Sequence, residues 1–371
     1  MTATMVHSRL ITRPLLLRSV SILGASVGFF LPLSVVPMLA ASGRGAGFST
    51  VALLVATVLG EMATPRLVAR IGYRSALALG LSLLGAPTLV LAVSADPTVI
   101  LVVCVLRGLG FAICTVAGGA LTAKLIPPER RGEGLAFVGL VSGVSSLLAL
   151  PAGVWAAHRW GFGPVFVTTA VITLLALISV PGLPRRSTSF AESSGAGAAL
   201  ARPAIIFAAS TAALGVFVTF LPLAGGRLSA GVVAGALLVQ PAAATAARWV
   251  ASRLGDRHGQ RRLLAPGLVL TAAGTAGLAL TGMPAAVILA ALVFGAGFGL
   301  LQNATLALMY DGAPLGGENT VSAVWNIAYD LGMAAGALVA GLLVASLGVS
   351  AVFLLAAVAT LPAFALIPRR H

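Results

Sequence analysis

Apolar runs of about twenty residues recur along the chain from Leu15 to Ile367, set apart by short polar breaks. A run of that length spans a hydrocarbon core of ~30 Å at ~1.5 Å of helix rise per residue. Division at the polar breaks predicts twelve spans, at 15–40, 47–69, 74–94, 97–121, 133–157, 161–181, 203–225, 229–251, 262–282, 284–308, 319–343 and 347–367. The short alternating segments of a transmembrane barrel are not found. The first run is too long, and too closely followed by the next, for a cleaved leader, so it counts as a span. The pattern therefore predicts an all-α membrane protein.

Composition agrees. Of 371 residues 59% are hydrophobic and only 9% charged, against roughly 25% charged in a soluble domain, and the mean hydropathy is +1.06. The net charge of +14 invites a nucleic-acid reading, but its distribution favours membrane orientation. With the N-terminus inside, 19 of the 23 Lys and Arg fall on the cytoplasmic side: at the N-terminus (Arg9, Arg13, Arg18), in the even-to-odd loops, in the 6–7 linker and at Arg369 and Arg370. Cytoplasmic loops retain Lys and Arg in this way. Arg44, Arg159 and Arg227 fall outside, and Arg107 lies within span 4. An even number of spans then puts both termini in the cytoplasm of a cell with the chain in its inner or plasma membrane.

Cys104 and Cys114 sit in one span, ~15 Å apart along a helix, too far to bridge. No Cys/His spacing suggests a metal, and no Walker sequence is present. The stretch GAGFG (295–299) lies inside an apolar helix with no strand before it, so it reads as small residues for close helix packing. These features predict neither cofactor, metal nor catalytic group.

One shift of 187 positions relates the first half of the chain to the second. It lays RLVARIGYR (66–74) on RLGDRHGQR (253–261), matching Arg, Leu, Arg, Gly and Arg. It also pairs Gly28 with Gly215, Phe30 with Phe217, Gly80 with Gly267, and Gly108, Gly110 and Phe111 with Gly295, Gly297 and Phe298. Six spans followed by six in the same orientation make a parallel repeat. The predicted organisation is a six-helix bundle at 1–181, a cytoplasmic linker at 182–202 rich in Ser, Gly and Ala, and a second six-helix bundle at 203–371.

This architecture resembles the major facilitator superfamily. The family carries a motif G-x-x-x-D-R-x-G-R-[RK] between helices 2 and 3, often echoed between helices 8 and 9. SRLGDRHGQRR is similar to the echo, with Asp256, Arg257, Gly259 and Arg261 on its core positions. In the 2–3 loop Arg70, Gly72 and Arg74 remain, while Pro65 and Ala69 replace the first Gly and the Asp. Gly permits a tight turn, and Arg can cap carbonyls at nearby helix ends; the resemblance implies a gating loop that latches the cytoplasmic side. The plainer reading is an orientation signal only. LRGLGFA (106–112) resembles the family's helix 4 motif. GLVSGVSSLLALPAG (139–153) resembles the helix 5 motif of its drug/proton antiporters, although Leu150 stands where Gly precedes the Pro.

Three charged residues lie deep within the spans: Glu61, Arg107 and Asp330. Holding a charge there costs several kcal/mol unless it is paired, solvated or neutralised. Arg107 is read as a substrate-anion contact or as the partner of a buried carboxylate, against a structural Arg held by carbonyls. Asp330 and Glu61 are candidates to load a proton on one side and release it on the other, against hydrogen-bonded packing residues. Counting along the spans puts Arg107 and Asp330 at similar depth. The resemblance assigns helices 1, 4, 7 and 10 to the cavity, 2, 5, 8 and 11 to its flanks, and 3, 6, 9 and 12 to lipid; the last four carry no charge inside their boundary residues Arg74 and Arg262. Phe29, Phe30, Phe111, Phe217, Phe220 and Trp325 are candidates for an apolar cavity wall, and Gln240, Gln302, Asn303, Asn326 and Tyr329 for orienting a ligand.

The expected function is proton-coupled efflux of a small lipophilic molecule by alternating access. Its partners are the substrate, the proton and the bilayer, with no nucleic acid, and the chain acts as a monomer. Spans so poor in polar groups argue against a sugar permease. The rivals are uptake of a small organic anion through Arg107, and a non-transporting sensor or scaffold on the same fold, which would need a soluble domain that no loop is long enough to hold.

Overall fold

The computed structural model describes residues 12–40, 43–126, 131–184, 197–224, 228–313 and 318–367. They form eleven α-helices: α1 Arg13–Phe30, α2 Val35–Leu39, α3 Gly43–Gly85, α4 Pro97–Leu125, α5 Arg131–Trp160, α6 Phe162–Leu175, α7 Gly197–Phe220, α8 Ala230–His258, α9 Leu264–Gly277, α10 Pro284–Asp311 and α11 Glu318–Thr360. Helix starts follow local chemistry. Asp96 accepts from the backbone N–H groups of Thr98 and Val99 ahead of α4, with Pro97 in the first turn, where its missing N–H costs nothing. Ser229 caps α8 through the N–H of Val232.

Nine helical stretches among the described residues are long and apolar enough to cross a membrane, and the protein is a multi-pass membrane protein. Two of the stretches, Gly45–Ala92 and Thr320–Leu366, run to 48 and 47 residues, about twice the ~20 that one crossing needs. Each contains a glycine in the left-handed region, Gly72 at φ 77° and Gly348 at φ 79°, a conformation closed to most side chains. Packing shows what these glycines do. Gly108 of α4 lies against Leu53 and Ala56, and Gly60 against Leu109 and Ala112, so the first arm of α3 runs parallel with α4. Gly80 meets Cys114, and Gly110 meets Leu84, so the second arm runs antiparallel to it. The chain reverses at Gly72. Likewise Gly332 and Gly336 meet Ala208 and Ala212, making the first arm of α11 parallel with α7, while Ala363 and Phe364 return to Ile206 near the start of α7.

The 187-residue shift holds in contacts as well as letters. Gly108 packs on Leu53 and Ala56, and Gly295 on Gln240 and Ala243; Gly110 packs on Gly80, Leu83 and Leu84, and Gly297 on Gly267, Leu270 and Thr271. Every partner is displaced by the same 187. So are the four left-handed glycines, Gly72 with Gly259 and Gly161 with Gly348, and the prolines that open α4 and α10.

The face at which α1 begins is termed the near face, the opposite one the far face. At the far face the two halves are pinned together. Ser34 donates to the Val218 carbonyl at 2.7 Å, Thr50 and Thr219 share a hydrogen bond at 3.1 Å, and Gly47 lies against Ala337 and Gly341. Toward the near face, Gly119 of α4 and Gly139 of α5 border open space.

Boundaries differ from expectation in two places. The first span is broken, with α1 ending at Phe30 and α2 starting at Val35, because Pro32 cannot continue the ladder. The start of α7 at Gly197 falls inside the expected linker, where the Ala-rich stretch favours a helix; residues 185–196 of that linker lie outside the described residues.

Candidate functional site

The break in α1 creates the first element of the site. In an unbroken helix the carbonyls of Gly28 and Phe29 would receive the N–H groups of residues 32 and 33. Pro32 has none, and Leu33 donates instead to Phe30. Arg107, facing them from α4, supplies the donor: its Nη2 reaches the Gly28 oxygen at 3.1 Å and the Phe29 oxygen at 3.3 Å. A guanidinium thus caps the C-terminal end of a broken helix, where a cation is favoured. Arg107 is fully buried, and its Nε and Nη1 have no hydrogen-bond partner among the described residues. Cys104, one turn earlier, lies within electrostatic and side-chain hydrogen-bonding reach of it. Phe29 and Phe111 stack at 3.7 Å beside it, and Phe30 closes the group edge-on to both.

The second half carries an aromatic version of the same arrangement. The shift of 187 takes Phe30, Arg107 and Phe111 to Phe217, Phe294 and Phe298, and these three pack in series at 5.7 and 6.1 Å. Phe298 continues to Tyr329 and Phe207, and Phe207 stacks on Trp325 at 4.5 Å. The Trp325 indole N–H is buried and has no partner among the described residues. Phe220 is fully buried.

The carboxyls form the third element. Glu61 lies on the first arm of α3 and is partly exposed; Asp330 lies on the first arm of α11 and is buried. Each stands eighteen residues from the far end of its arm, counted from Gly43 and from Gly348, or about 27 Å. These arms pack across the junction of the halves, and Asp330 lies within electrostatic reach of Glu61. Tyr329 is next to Asp330, and Arg248 of α8 acts on Tyr329. Arg107 stands ten residues into α4 from the far face, about 15 Å. The expected common depth of Arg107 and Asp330 is therefore not found by helix rise: the acid within electrostatic reach of Asp330 is Glu61, and Arg107 meets carbonyls.

Other candidates are dispersed. Asn303 donates to Gln260 of the 8–9 loop at 3.3 Å, which ties it to that loop. Asn326 is exposed, Gln302 partly so, and Gln240 is buried under Gly295 of α10. In the 2–3 loop Arg70 is exposed, Gly72 makes the turn, and Arg74 donates to the Val180 carbonyl in the 3-10 turn that ends α6. In the 8–9 loop Gly259 turns at φ 86°, and Arg257 and Arg261 are exposed; the side chain of Asp256 lies outside the described residues.

Sequence reasoning missed Arg18, which was counted as an orientation signal. It is 5% exposed and crosses from α1 to the Gly118 and Cys114 carbonyls, Thr122 and Ser21. The carbonyl contacts of Arg107 match the reading of a structural Arg held by carbonyls; which carbonyls they are was not read, although Pro32 four residues after Gly28 signals a free one.

Comparison with known proteins adds the following. The Major Facilitator Superfamily matches residues 15–337 and, a second time, 242–371. A protein of Mycobacterium tuberculosis described as "Probable multidrug-efflux transporter" is 26% identical over 162 residues, 41% of this chain. The match spans 34% of that relative's length. Among solved structures, the nucleoside transporter NupG has a TM-score of 0.75 at 15% identity, covering 97% of this chain and 100% of its own. A POT family transporter in complex with 5-aminolevulinic acid has a TM-score of 0.76 at 13% identity, covering 96% of each. At such identities the likeness is one of fold alone.

Proposed function

The chain belongs to the Major Facilitator Superfamily and is a membrane transporter rather than an enzyme; from that premise we propose proton-coupled efflux of a small lipophilic molecule by alternating access. The observation that carries the proposal is that Glu61 and Asp330 lie on the packed helices α3 and α11, within electrostatic reach of one another. Two carboxyls on crossing helices of different halves, at one depth, are difficult to hold ionised together. A proton shared between them links protonation to the fit of the halves, and that fit is what alternates. The far face is pinned by Ser34, Thr50 and Thr219, so the two halves are joined there in the state described.

Several further readings go with this one. We count twelve crossings in two parallel six-helix repeats, divided at 182–202; the reversals at Gly72 and Gly348 and the matched glycine contacts support the count. We place both termini and the Arg-rich loops in the cytoplasm on the charge bias, in the inner or plasma membrane. The 2–3 and 8–9 loops are gating loops, with Arg74 already capping Val180, and the carrier works as a monomer in lipid. The efflux direction is supported by the mycobacterial relatives. Uptake of a small organic anion is the second reading, favoured by the two unpartnered nitrogens of Arg107.

The test is flux into inverted vesicles under an imposed pH gradient, over a panel of lipophilic compounds. Asp330→Asn, which cannot cycle a proton, is expected to abolish gradient-driven accumulation while downhill exchange survives. Accumulation at the parent's level by both Asp330→Asn and Glu61→Gln would remove the pair from the mechanism and leave uptake of an anion as the leading reading.

A further inference from the structure

The site of Arg107 is charged on one side of the molecule only and is incomplete. A guanidinium keeps its proton in a protein, so a buried one needs acceptors or a counter-ion. Arg107 has two carbonyls, both on Nη2; among the described residues Nε and Nη1 meet no oxygen acceptor, and the polar side chain within reach is the Cys104 thiol, a weak acceptor. The acids of the interior, Glu61 and Asp330, lie within electrostatic reach of one another about 12 Å nearer the near face by helix rise. The same pair of helices satisfies another buried arginine in full: Arg18 has a partner on every one of its three nitrogens. Packing α1 on α4 therefore does not by itself leave a guanidinium short of acceptors.

The surroundings narrow what could complete it. Phe29, Phe30 and Phe111 form an aromatic wall next to the guanidinium, and Phe30 and Phe111 are half-buried rather than sealed in. An apolar body against these rings and a single negative group against Nε or Nη1 is the ligand such a corner recognises. We propose that the transported molecule is a lipophilic monocarboxylic acid whose carboxylate is held by Arg107. The proposal rests on the transporter reading and sharpens it: the anchor for the anion and the carboxyl pair for the proton are separate groups at separate depths.

The test is binding, measured on the full chain in nanodiscs without any pH gradient, by calorimetry and by the shift in melting temperature. The probes are cinnamate and octanoate, each against its carboxamide, and chloride. Each acid is expected to bind at least tenfold more tightly than its amide. Arg107→Lys is expected to keep part of that preference, and Arg107→Gln to erase it, leaving acid and amide alike. A parent protein with no preference for the acid in either pair overturns the proposal. So does a preference that persists in Arg107→Gln, or chloride that displaces and stabilises as well as either acid, which marks an inorganic-anion site. The comparison in the parent needs no variant, so a variant that fails to fold does not decide it. Loss of the acid preference leaves proton-coupled transport standing, and loss of coupling in Asp330→Asn leaves the anion anchor standing.

Discussion

Arg18 and Arg107 are two answers to one problem. Both are buried cations where α1 packs on α4, and each reaches from one helix to backbone carbonyls of the other. Arg18 divides its three nitrogens among four acceptors, two of them hydroxyls. Arg107 spends one nitrogen on two carbonyls that Pro32 has released and keeps two in reserve. The first arrangement is closed and does nothing further; the second holds charge that only an outside acceptor can use. At the position 187 residues on, Phe294 fills the corresponding place with a ring packed between Phe217 and Phe298. A ring there packs without any acceptor, so the charge at Arg107 is not something this helix contact requires.

The largest expected effect sets the two arginines against each other. Arg107→Leu is expected to lower flux about a hundredfold, the scale of a lost charge-assisted contact of about 3 kcal/mol. Its melting temperature should move by no more than about 2 °C, because removing an uncompensated cation offsets the loss of two carbonyl contacts. Arg18→Ala should do the reverse. It removes a closed set of bonds and leaves a cavity, about 2–4 kcal/mol, and melting should fall by several degrees while flux per folded carrier stays at the parent's level. An Arg107→Leu protein that melts early and an Arg18→Ala protein that melts normally would invert the comparison.

A smaller effect comes from giving Arg107 what Arg18 has. Cys104 is buried one turn before it, at the i, i+3 spacing that lets side chains meet. Cys104→Asp is expected to supply an internal counter-ion, to raise melting by about 2 °C, and to abolish stabilisation by cinnamate. Cinnamate binding to this variant with the parent's affinity would place the anion somewhere other than Arg107.

Much of this was legible in the sequence. Apolar run length located the helices, and the left-handed turns fall at Gly72 and Gly259, inside the two Arg-rich segments that the 187-residue shift picked out. Burial of Arg107 and Asp330 could be read because charge is so scarce in these spans. Their partners could not. The acceptors of Arg107 depend on which carbonyls Pro32 frees and on how α4 faces them, and Arg18 looked like a loop residue because five positions from a helix start is near the end in sequence but inside the fold. The expected common depth of Arg107 and Asp330 failed for a related reason. Depth was counted from span ends guessed at polar breaks, whereas the observed helices extend several residues past those breaks.

The smallest expected effect probes how much redundancy the closed set contains. Nε of Arg18 is shared between the Gly118 oxygen and Thr122 Oγ1, both at 3.2 Å, and Thr122 itself donates to that Gly118 oxygen at 2.8 Å. Thr122→Val keeps the shape and removes the hydroxyl. Nε then loses one acceptor, but the Gly118 oxygen loses a competing donor and can take Nε more fully. The net cost should therefore fall below that of an ordinary buried hydrogen bond, at about 0.5–1 kcal/mol, with a drop in melting of about 2 °C and no change in flux. A drop of more than about 5 °C would show the hydroxyl to be indispensable. No drop at all would reduce the satisfied set of Arg18 to carbonyls and Ser21, bringing it a step closer to the condition of Arg107.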